Sequence, residues 1–494
     1  MRGRTFCARV AVGLVLAVTA VGQAAASDPA PTRSVTYQMT ATHEGSQTGD
    51  RLSPPLVKTW SRSLGAGPVS YPLIAEGRAF VTVAHGQNQS YGTDLYALNL
   101  ATGNTAWGPV NLGGTYYVGG IAYDGGQVFA VTYDGLLRAF DEANGALRWQ
   151  QQMPGQYAFT SPPTAFNGRV YLGGAGSGGT LYAVNETDGT LSWTARVSNG
   201  DHSAPAATAT GIYVSYACNH AYAFEPSNGA LLWHHSGVCS GGGGKTVAVH
   251  DGRVYTRDYY GDLILDAGNG QEVGRYRSDT VPSFDGGLAF SLLSGTLTAQ
   301  DAGGQTRWTF RGDGSLSSAP IVDNGYVYLA SGRGNVYAVD EATGQPVWTG
   351  TVATGVAGPD EQNAWPLVGL AAGDGHLLVP AGGTLTAFES QPDFELQVPS
   401  LMPLRPGGDA VASVTVTANR FVNGTLTFTT SGVPSTSQAA VNPSAVSLTP
   451  GQTATPDLRV HASLMQLKSF TMTVTACYGD ICHSAPVDVR VSAL

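Results

Sequence analysis

The chain has 494 residues, a formal net charge of −10, 12% charged residues, 66 glycines and 27 prolines. This length equals about three average domains, although all-β barrels and propellers form larger single units. An acidic chain with only three lysines (Lys58, Lys245 and Lys468) has no basic stripe, which excludes a nucleic-acid partner. Beyond the N-terminus no apolar run approaches the ~20 residues of a transmembrane segment. The composition predicts a large, Gly-rich, soluble β protein.

The N-terminus predicts export. Three arginines in the first nine residues precede an apolar stretch at 10–21, and Ala24 to Ala26 offer a small-residue cleavage site. This is the layout of a secretory signal peptide at residues 1–26, so we expect a secreted protein, extracellular or periplasmic. An even number of cysteines in the exported chain points to two disulfides. The four that remain are Cys218, Cys239, Cys477 and Cys482.

A repeat of about 40 residues organises the middle of the chain. Segments 95–107 (LYALNLATGNTAW) and 336–348 (VYAVDEATGQPVW) show its pattern, and five more lie between them, at 137–149, 181–193, 221–233, 262–274 and 297–308. Each segment ends in tryptophan except one, where Gly274 takes that place. Such a period fits one four-stranded sheet per repeat.

The repeat predicts a tight turn followed by an inter-sheet contact. The Asn or Asp before each turn can cap turn amides, and the glycine supplies a positive φ. Each indole buries about 200 Å² and is expected to cover the seam between neighbouring sheets. The tryptophans given this structural role are Trp60, Trp107, Trp149, Trp193, Trp233, Trp308 and Trp348.

Two fragments outside the seven segments complement each other. Residues 385–388 (LTAF) resemble a third strand with no Trp strand after it, whereas 59–64 (TWSRSL) form a Trp strand with nothing before it. Pairing them closes a ring and removes exposed edges. Third strands beginning near 95, 137, 181, 221, 262, 297, 336 and 385 then predict eight blades.

This repeat, with its N-terminal closure, resembles the pyrroloquinoline-quinone-type (PQQ-like) β-propeller superfamily. The resemblance implies an all-β, eight-bladed propeller over residues 57–390, preceded by an N-terminal extension at 27–56. That superfamily includes quinoprotein dehydrogenases, the outer-membrane barrel-assembly scaffold lipoprotein and many other exported proteins, so fold alone does not assign a function.

The repeat ends after Ser390. Short alternating strands then recur every 10–15 residues, among them 412–418 (ASVTVTA) and 470–476 (FTMTVTA). Residues 391–494 are therefore predicted to form an immunoglobulin-like β-sandwich. It resembles the immunoglobulin-like modules appended to many secreted bacterial proteins.

Two disulfides are predicted from the positions of the cysteines. Cys477 and Cys482 flank a four-residue hairpin turn, which favours a disulfide over a long-spaced haem-attachment motif. Cys218 lies in a second-to-third strand loop and Cys239 in the following blade connection. Both kinds of loop emerge on one face of a propeller, so a bridge there would staple two adjacent loops.

No catalytic or cofactor-binding constellation is found in the sequence. Quinoprotein alcohol dehydrogenases carry two adjacent cysteines near the cofactor, and this chain has no Cys-Cys pair and no C-x-x-C-H haem motif. Its histidines do not follow zinc spacing. We therefore expect no PQQ, no other cofactor, no metal and no catalytic residue.

If a binding site exists, topology places it on the loop face around the central channel. Loops 85–93 and 353–365 are unusually long, and long loops on a rigid scaffold commonly carry binding sites. The candidate ligand-binding residues there are Tyr91, Tyr116, Tyr117, His202, His220, Lys245, Tyr259, Asp360, Glu361 and Trp365, with Tyr157 and Tyr260 in neighbouring loops.

These observations favour a secreted, non-catalytic binding or scaffold protein. The propeller is expected to recognise a protein, a peptide or a glycan, with the sandwich as a spacer, and the protein is expected to be a monomer. Two alternatives stay open. One is an exported enzyme at the channel mouth, either a divergent quinoprotein dehydrogenase or a carbohydrate-active enzyme, and the other is an envelope-assembly scaffold.

Overall fold

The protein is built from strands. The computed structural model describes residues 32–86, 90–237, 243–259, 261–362, 365–419 and 422–492, and these ranges contain no α-helix. Across this part of the chain, no helix has the length and apolarity needed to cross a membrane. The predicted signal peptide lies outside the described residues, as do Cys239, Tyr260 and the first two glycines of the run before Lys245.

Eight sheets follow one another along the first four-fifths of the chain, and we call them blades 1 to 8 in chain order. Two strands, β1 (Ser46–Gln47) and β2 (Leu56–Ser63), precede them. Blades 1 to 3 are β3–β6 (Leu73–Ala75, Arg78–Ala84, Thr93–Asn99, Thr105–Gly113), β7–β10 (Gly119–Asp124, Gln127–Thr132, Leu136–Asp141, Leu147–Gln152) and β11–β14 (Thr164–Phe166, Arg169–Ala175, Gly179–Asn185, Leu191–Val197). Blades 4 to 6 are β15–β18 (Ala206–Ala207, Ile212–Tyr216, His220–Phe224, Leu231–His235), β19–β22 (Ala248–His250, Arg253–Thr256, Asp262–Asp266, Glu272–Tyr276) and β23–β26 (Ser283–Asp285, Leu288–Leu293, Thr296–Asp301, Thr306–Phe310). Blade 7 is β27–β30 (Ile321–Asp323, Tyr326–Ala330, Asn335–Asp340, Pro346–Thr351), and blade 8 contains β31–β33 (Ala371–Gly373, His376–Ala381, Thr384–Ser390).

The repeated tryptophans join seven of the eight blades to the next blade. The indole N–H of Trp107 donates a hydrogen bond to the carbonyl of Glu142 in the next blade's turn (2.8 Å). Trp308 makes the same bond to Glu341 (2.8 Å). Five other indoles repeat it at 2.7–2.9 Å: Trp60 to Leu100, Trp149 to Glu186, Trp193 to Pro226, Trp233 to Ala267 and Trp348 to Leu56. Each of these seven indoles thus contacts the backbone of the following blade.

The turn glycine also makes room for the indole. Gly103 has a φ of +68°, and a Cβ there would lie 2.6 Å from the ring of Trp60. A side chain would be strained by the backbone and would also collide with the indole. The preceding Asn99 side chain accepts a hydrogen bond from the Thr102 amide (3.0 Å), which is the predicted turn cap.

The N-terminal strand closes the ring, as predicted. β2 pairs antiparallel with β33, and Trp60 lies opposite Ala387. Blade 8 therefore has the order β2-β33-β32-β31. The carbonyl of Leu56 in the same strand accepts the hydrogen bond from Trp348 of blade 7 (2.8 Å). Strand β2 thus completes blade 8 and also accepts the indole hydrogen bond from blade 7.

The segment before β2 runs through the middle of the ring, which sequence analysis did not predict. We call residues 34–47 the channel segment. It contacts every blade through hydrogen bonds. Its backbone bonds reach Ile74, Tyr123, Ala207, Val249, Phe284 and Val322, and its side chains reach Pro163 and Ala372. β1 at its end pairs parallel with β27.

No residue of the channel segment is exposed, and half of them are buried. Tyr37, Met39 and His43 are fully buried. The His43 ring contacts the carbonyl of Val247 (3.1 Å) and Oγ1 of Thr164 (3.2 Å). Burial lowers the pKa of His43 to about 4, so the ring is neutral at physiological pH.

Three further sheets form the C-terminal part. Their strands are β34 (Phe394–Gln397), β35 (Leu401–Leu404), β36 (Asp409–Ser413), β37 (Thr415–Ala418), β38 (Gly424–Ser431), β39 (Ser437–Asn442), β40 (Ala445–Leu448), β41 (Thr453–Ala454), β42 (Asp457–Ala462), β43 (Phe470–Tyr478) and β44 (Ile481–Val491). The sheet orders are β34-β37-β41, β35-β44-β43-β38-β40 and β36-β42-β39. They enclose a separate core that includes Val414, Leu458 and Met472. The immunoglobulin-like assignment itself stays a prediction.

One predicted disulfide is confirmed and half of the other is visible. Cys477 and Cys482 face each other across the β43–β44 hairpin and are bonded. Cys218 is disulfide-bonded, whereas its predicted partner, Cys239, lies outside the described residues.

Removal of an indole at the ring closure should be costly. Trp60→Ala leaves a cavity against Gly103 and frees the Leu100 carbonyl, so we expect the free energy of unfolding to fall by about 3–5 kcal/mol. Trp60→Phe keeps most of the apolar contact and should cost clearly less. Urea unfolding followed by circular dichroism measures both, and an equal loss in the two variants would contradict a packing role.

Stability should depend on a buried carboxyl at the seam between blades 2 and 3. Burial, and then the neighbouring charge of Asp124, raise the pKa of Glu186 from 4.5 to about 8. Between these values the folded protein holds a proton that the unfolded chain has lost, so the free energy of unfolding falls as pH rises.

Replacement of this carboxyl should therefore stabilise the protein at alkaline pH. Glu186→Gln should raise the free energy of unfolding by about 2 kcal/mol or more at pH 8 and change it little at pH 4.5. Unfolding curves across this pH range measure the difference. The exposed Glu395 supplies the matched control, because Glu395→Gln should leave the pH profile unchanged.

Candidate functional site

Aromatic side chains meet on the loop face of blades 1 and 2. Tyr91 lies between β4 and β5, Tyr116 and Tyr117 connect β6 to β7, and Tyr133 lies between β8 and β9. Trp365 comes from the long connection between β30 and β31. Second-to-third strand loops and blade connections emerge on the same face of a propeller, so distant parts of the chain reach one place. We call these five residues the aromatic patch.

The rings of the aromatic patch are in continuous contact. Tyr117 stacks on Trp365 with centroids 4.4 Å apart and planes 3° apart. Tyr116 packs on Tyr133 at 4.4 Å, and Tyr91 lies 5.5 Å from Tyr116 and 5.2 Å from Tyr117. Tyr91 is 55% exposed and Tyr116 44% exposed. A rigid apolar surface with hydroxyl groups at its edge is thus open to solvent.

Polar groups border the aromatic patch. The ring of His85 contacts Oδ1 of Asp94 (3.1 Å), and Nε2 of His202 lies 3.4 Å from Oδ2 of Asp201. Burial, followed by the nearby Tyr116 and the charge of Asp201, raises the pKa of Tyr133 above its ordinary value. The hydroxyl of Tyr133 therefore keeps its proton at neutral pH, and the border of the patch offers both donors and acceptors.

Beneath this face, Glu361 forms a buried ion pair with Arg257. Nη2 of Arg257 donates to Oε2 of Glu361 (2.5 Å), and both side chains are almost fully buried. The amide of Thr246 donates to the other carboxylate oxygen (2.8 Å). Burial lowers the pKa of Arg257, but the charge and hydrogen bond of Glu361, together with the nearby Tyr276 and Tyr37, raise the pKa overall above its ordinary value. The pair ties the 353–367 connection to blade 5.

The other predicted site residues do not join a single cluster. His220 stacks on His234, with Nδ1 of one ring 3.0 Å from Nε2 of the other. Lys245 is half-buried, Asp360 is exposed, and Tyr259 is 94% exposed in the loop after β20. Within the described part of the chain, no group of three or more metal-ligating side chains comes together. Four of the ten predicted residues thus belong to the aromatic patch, namely Tyr91, Tyr116, Tyr117 and Trp365, and three more, His202, Asp360 and Glu361, line a small cavity with Trp365.

Three residues of this region were missed by sequence analysis. Tyr133 lies in a second-to-third strand loop, so the rule that selected the other tyrosines also applies to it. Arg257 follows a strand whose partner carboxylate is 104 residues away, and Tyr37 belongs to the channel segment, which no repeat covers. For these two residues the sequence contains no pairing signal.

The repeat region matches a known protein family. The family model described as "Outer membrane protein assembly factor BamB" matches residues 92–272 and 261–392. The chain belongs to this PQQ-like repeat family. A relative named outer membrane protein assembly factor BamB, from Yersinia pestis, is 26% identical over 301 residues, which are 54% of this chain and 76% of that protein. A protein named tetrathionate hydrolase, from Acidithiobacillus ferrooxidans, is 25% identical over 293 residues, or 53% of this chain and 55% of its own length.

A solved structure supports the same architecture. Quinohemoprotein alcohol dehydrogenase from Comamonas testosteroni superposes with a TM-score of 0.58 and 15% identity, covering 75% of this chain and 83% of its own. At this identity the likeness concerns the fold alone.

Loss of one partner of the buried Arg257–Glu361 ion pair should destabilise the protein more than loss of both partners. Arg257→Met leaves the carboxylate of Glu361 buried without its partner, and we expect the free energy of unfolding to fall by about 3–5 kcal/mol. The double variant Arg257→Met with Glu361→Gln removes both charges and should recover most of this loss. Urea unfolding at pH 7 tests both variants, and a double variant as unstable as the single one would contradict charge desolvation as the cause.

Proposed function

We propose that this protein is an exported, non-catalytic binding or scaffold protein that recognises a protein, peptide or glycan through its aromatic patch. The single observation that carries the proposal is the continuous set of exposed ring contacts on a closed, rigid propeller. Tyrosine and tryptophan provide large contact areas with little conformational entropy to lose on binding, and they are enriched at recognition surfaces.

The packing of the channel supports a non-catalytic role without a quinone cofactor. The cavity between the channel mouth and Glu361 has a volume of about 10 Å³, with Tyr71, Thr160, His202 and Trp365 among its lining residues. Such a volume is near that of one water, whereas small-molecule sites usually occupy about 300–1,000 Å³. A cavity of this volume supports the proposal that no quinone binds at this position.

An envelope-assembly scaffold is the second candidate function. The family match over residues 92–392, to a model described as an outer membrane protein assembly factor, favours it. In this case the aromatic patch would contact another protein of the cell envelope, and the C-terminal sheets, as an immunoglobulin-like module, would act as a spacer.

Binding through the aromatic patch can be tested directly. Tyr116→Ala and Trp365→Ala each remove a ring from the patch, and we expect binding on glycan and peptide arrays to weaken about tenfold or more, since a central aromatic anchor commonly contributes 2 kcal/mol or more. Tyr259→Ala, which removes an exposed tyrosine outside the patch, is the matched control and should bind as the unaltered protein does.

Site-specific photo-crosslinking separates the two candidate functions. A photoreactive residue at position 116, introduced in an exporting host, should give a defined protein adduct for an assembly scaffold and none for a glycan binder. Turnover of polysaccharides or alcohols that is lost in Trp365→Ala would contradict the non-catalytic proposal.

A further inference from the structure

The seam between blades 5 and 6 departs from the other seven. In blade 4 the register places Tyr213, Ala223 and Trp233 side by side on three neighbouring strands. The equivalent row in blade 5 is Tyr255, Ile264 and Gly274. Glycine stands where every other blade has an indole, so no indole from the outer strand of blade 5 reaches blade 6.

A cleft of about 630 Å³ occupies this seam. Its aromatic wall is formed by Tyr255, Tyr276 and Phe284, with the rings of Tyr255 and Phe284 4.5 Å apart. Leu288 and Ala289 of blade 6 line the opposite side. The cleft is a lined concavity within the volume range of small-molecule sites.

The groups that receive an indole in the other seams are present in blade 6. Ala302 holds the turn position whose carbonyl accepts an indole N–H elsewhere, and no described residue donates a hydrogen bond to it. The turn of blade 6 is one residue shorter than that of blade 7, and its positive-φ glycine is Gly304, where a Cβ would meet no atom within 4 Å. In blade 7 the same construction at Gly344 lies 2.5 Å from Trp308. Acceptor and open space are therefore retained without the ring.

The partial exposure of Ala289 in blade 6 also shows that this seam is incompletely covered. Ala289, which precedes the aromatic residue of its second strand, is only partly buried. The residues at the equivalent position of the other blades are all buried: Ala79, Val128, Val170, Ile212, Val254, Val327 and Leu377.

Ile264 fills only the inner part of the missing indole's space. The other blades have alanine at this position, as Ala223 shows in blade 4. The Cδ1 atom of Ile264 would lie 3.4 Å from a Cβ at Gly274, yet the cleft beyond it stays open to Ala302 and Gly304. The larger side chain therefore supports the strand row but does not close the seam.

We propose that the cleft between blades 5 and 6 binds a small molecule with an indole or a similar bicyclic aromatic ring that carries an N–H donor. The ring occupies the position of the missing tryptophan, packs against Tyr255 and Gly304, and donates its N–H to the carbonyl of Ala302. The guanidinium groups of Arg253 and Arg277 at the cleft contact polar substituents of the ligand. This site is separate from the aromatic patch and does not depend on the proposed function.

Calorimetric titration of the full chain with N-acetyl-L-tryptophanamide tests the site. We expect one binding event per chain and weaker binding of N-acetyl-L-phenylalaninamide, which has no ring N–H. The double variant Ile264→Ala with Gly274→Trp restores the residue pattern of the other seams and fills the cleft. It should melt at the same or a higher temperature and bind at least about tenfold more weakly, a loss of 1.4 kcal/mol.

Ile264→Ala alone is the matched control, because it enlarges the cleft and should retain binding. Unchanged affinity in the folded double variant, equal affinity for the phenylalanine analogue, or no binding at all would overturn the proposal. So would saturable binding of a tryptophan-containing peptide without binding of the free amide, since the site would then serve a peptide.

A second measurement needs no variant and remains informative if the double variant fails to fold. Photolabelling of the unaltered protein with an indole diazirine, followed by peptide mapping, should place the adduct within residues 250–304. Adducts found only elsewhere in the chain would overturn the proposal.

Discussion

The contact on which the fold depends is the indole that seven of the eight blades place against the next blade. It combines buried apolar area with one hydrogen bond to a backbone carbonyl of that blade, at 2.7–2.9 Å in all seven cases. The turn glycine is required by the same contact, since a Cβ at Gly103 would collide with Trp60. Because β2 both completes blade 8 and accepts the bond from Trp348, the series has no free end. Closure makes these local contacts mutually dependent.

The centre of the ring and its loop face have different roles: the centre is structural, and the loop face carries the proposed binding surface. The channel segment forms hydrogen bonds with all eight blades and is buried like a core. Surface for recognition remains where loops from blades 1 and 2 and the 353–367 connection meet, at the stacked rings of Tyr117 and Trp365.

Sequence reasoning succeeded where the fold repeats a local pattern. The pairing of Trp60 with the strand at 384–390, the Cys477–Cys482 bridge and the turn caps follow from spacing and turn chemistry, which act over a few residues or recur in each blade. It failed at the channel segment, whose partners are mostly backbone groups that no side-chain pattern reveals. It also placed Glu361 among the exposed loop residues, because whether a loop carboxylate turns inward depends on an arginine far away in the chain.

The seam between blades 5 and 6 shows that one part of the ring can form a binding cleft while the other seams keep the ring stable. Seven indole contacts and the central segment hold the eight blades, so one seam can lose its indole without opening the ring. The loss leaves a cleft whose walls are fixed by neighbours that remain closed, and a fixed concavity avoids the ordering cost that flexible sites incur on binding. The sequence shows that Gly274 departs from the repeat. The cleft that results depends also on Ile264, Ala289 and Ala302, and only the fold brings these residues together.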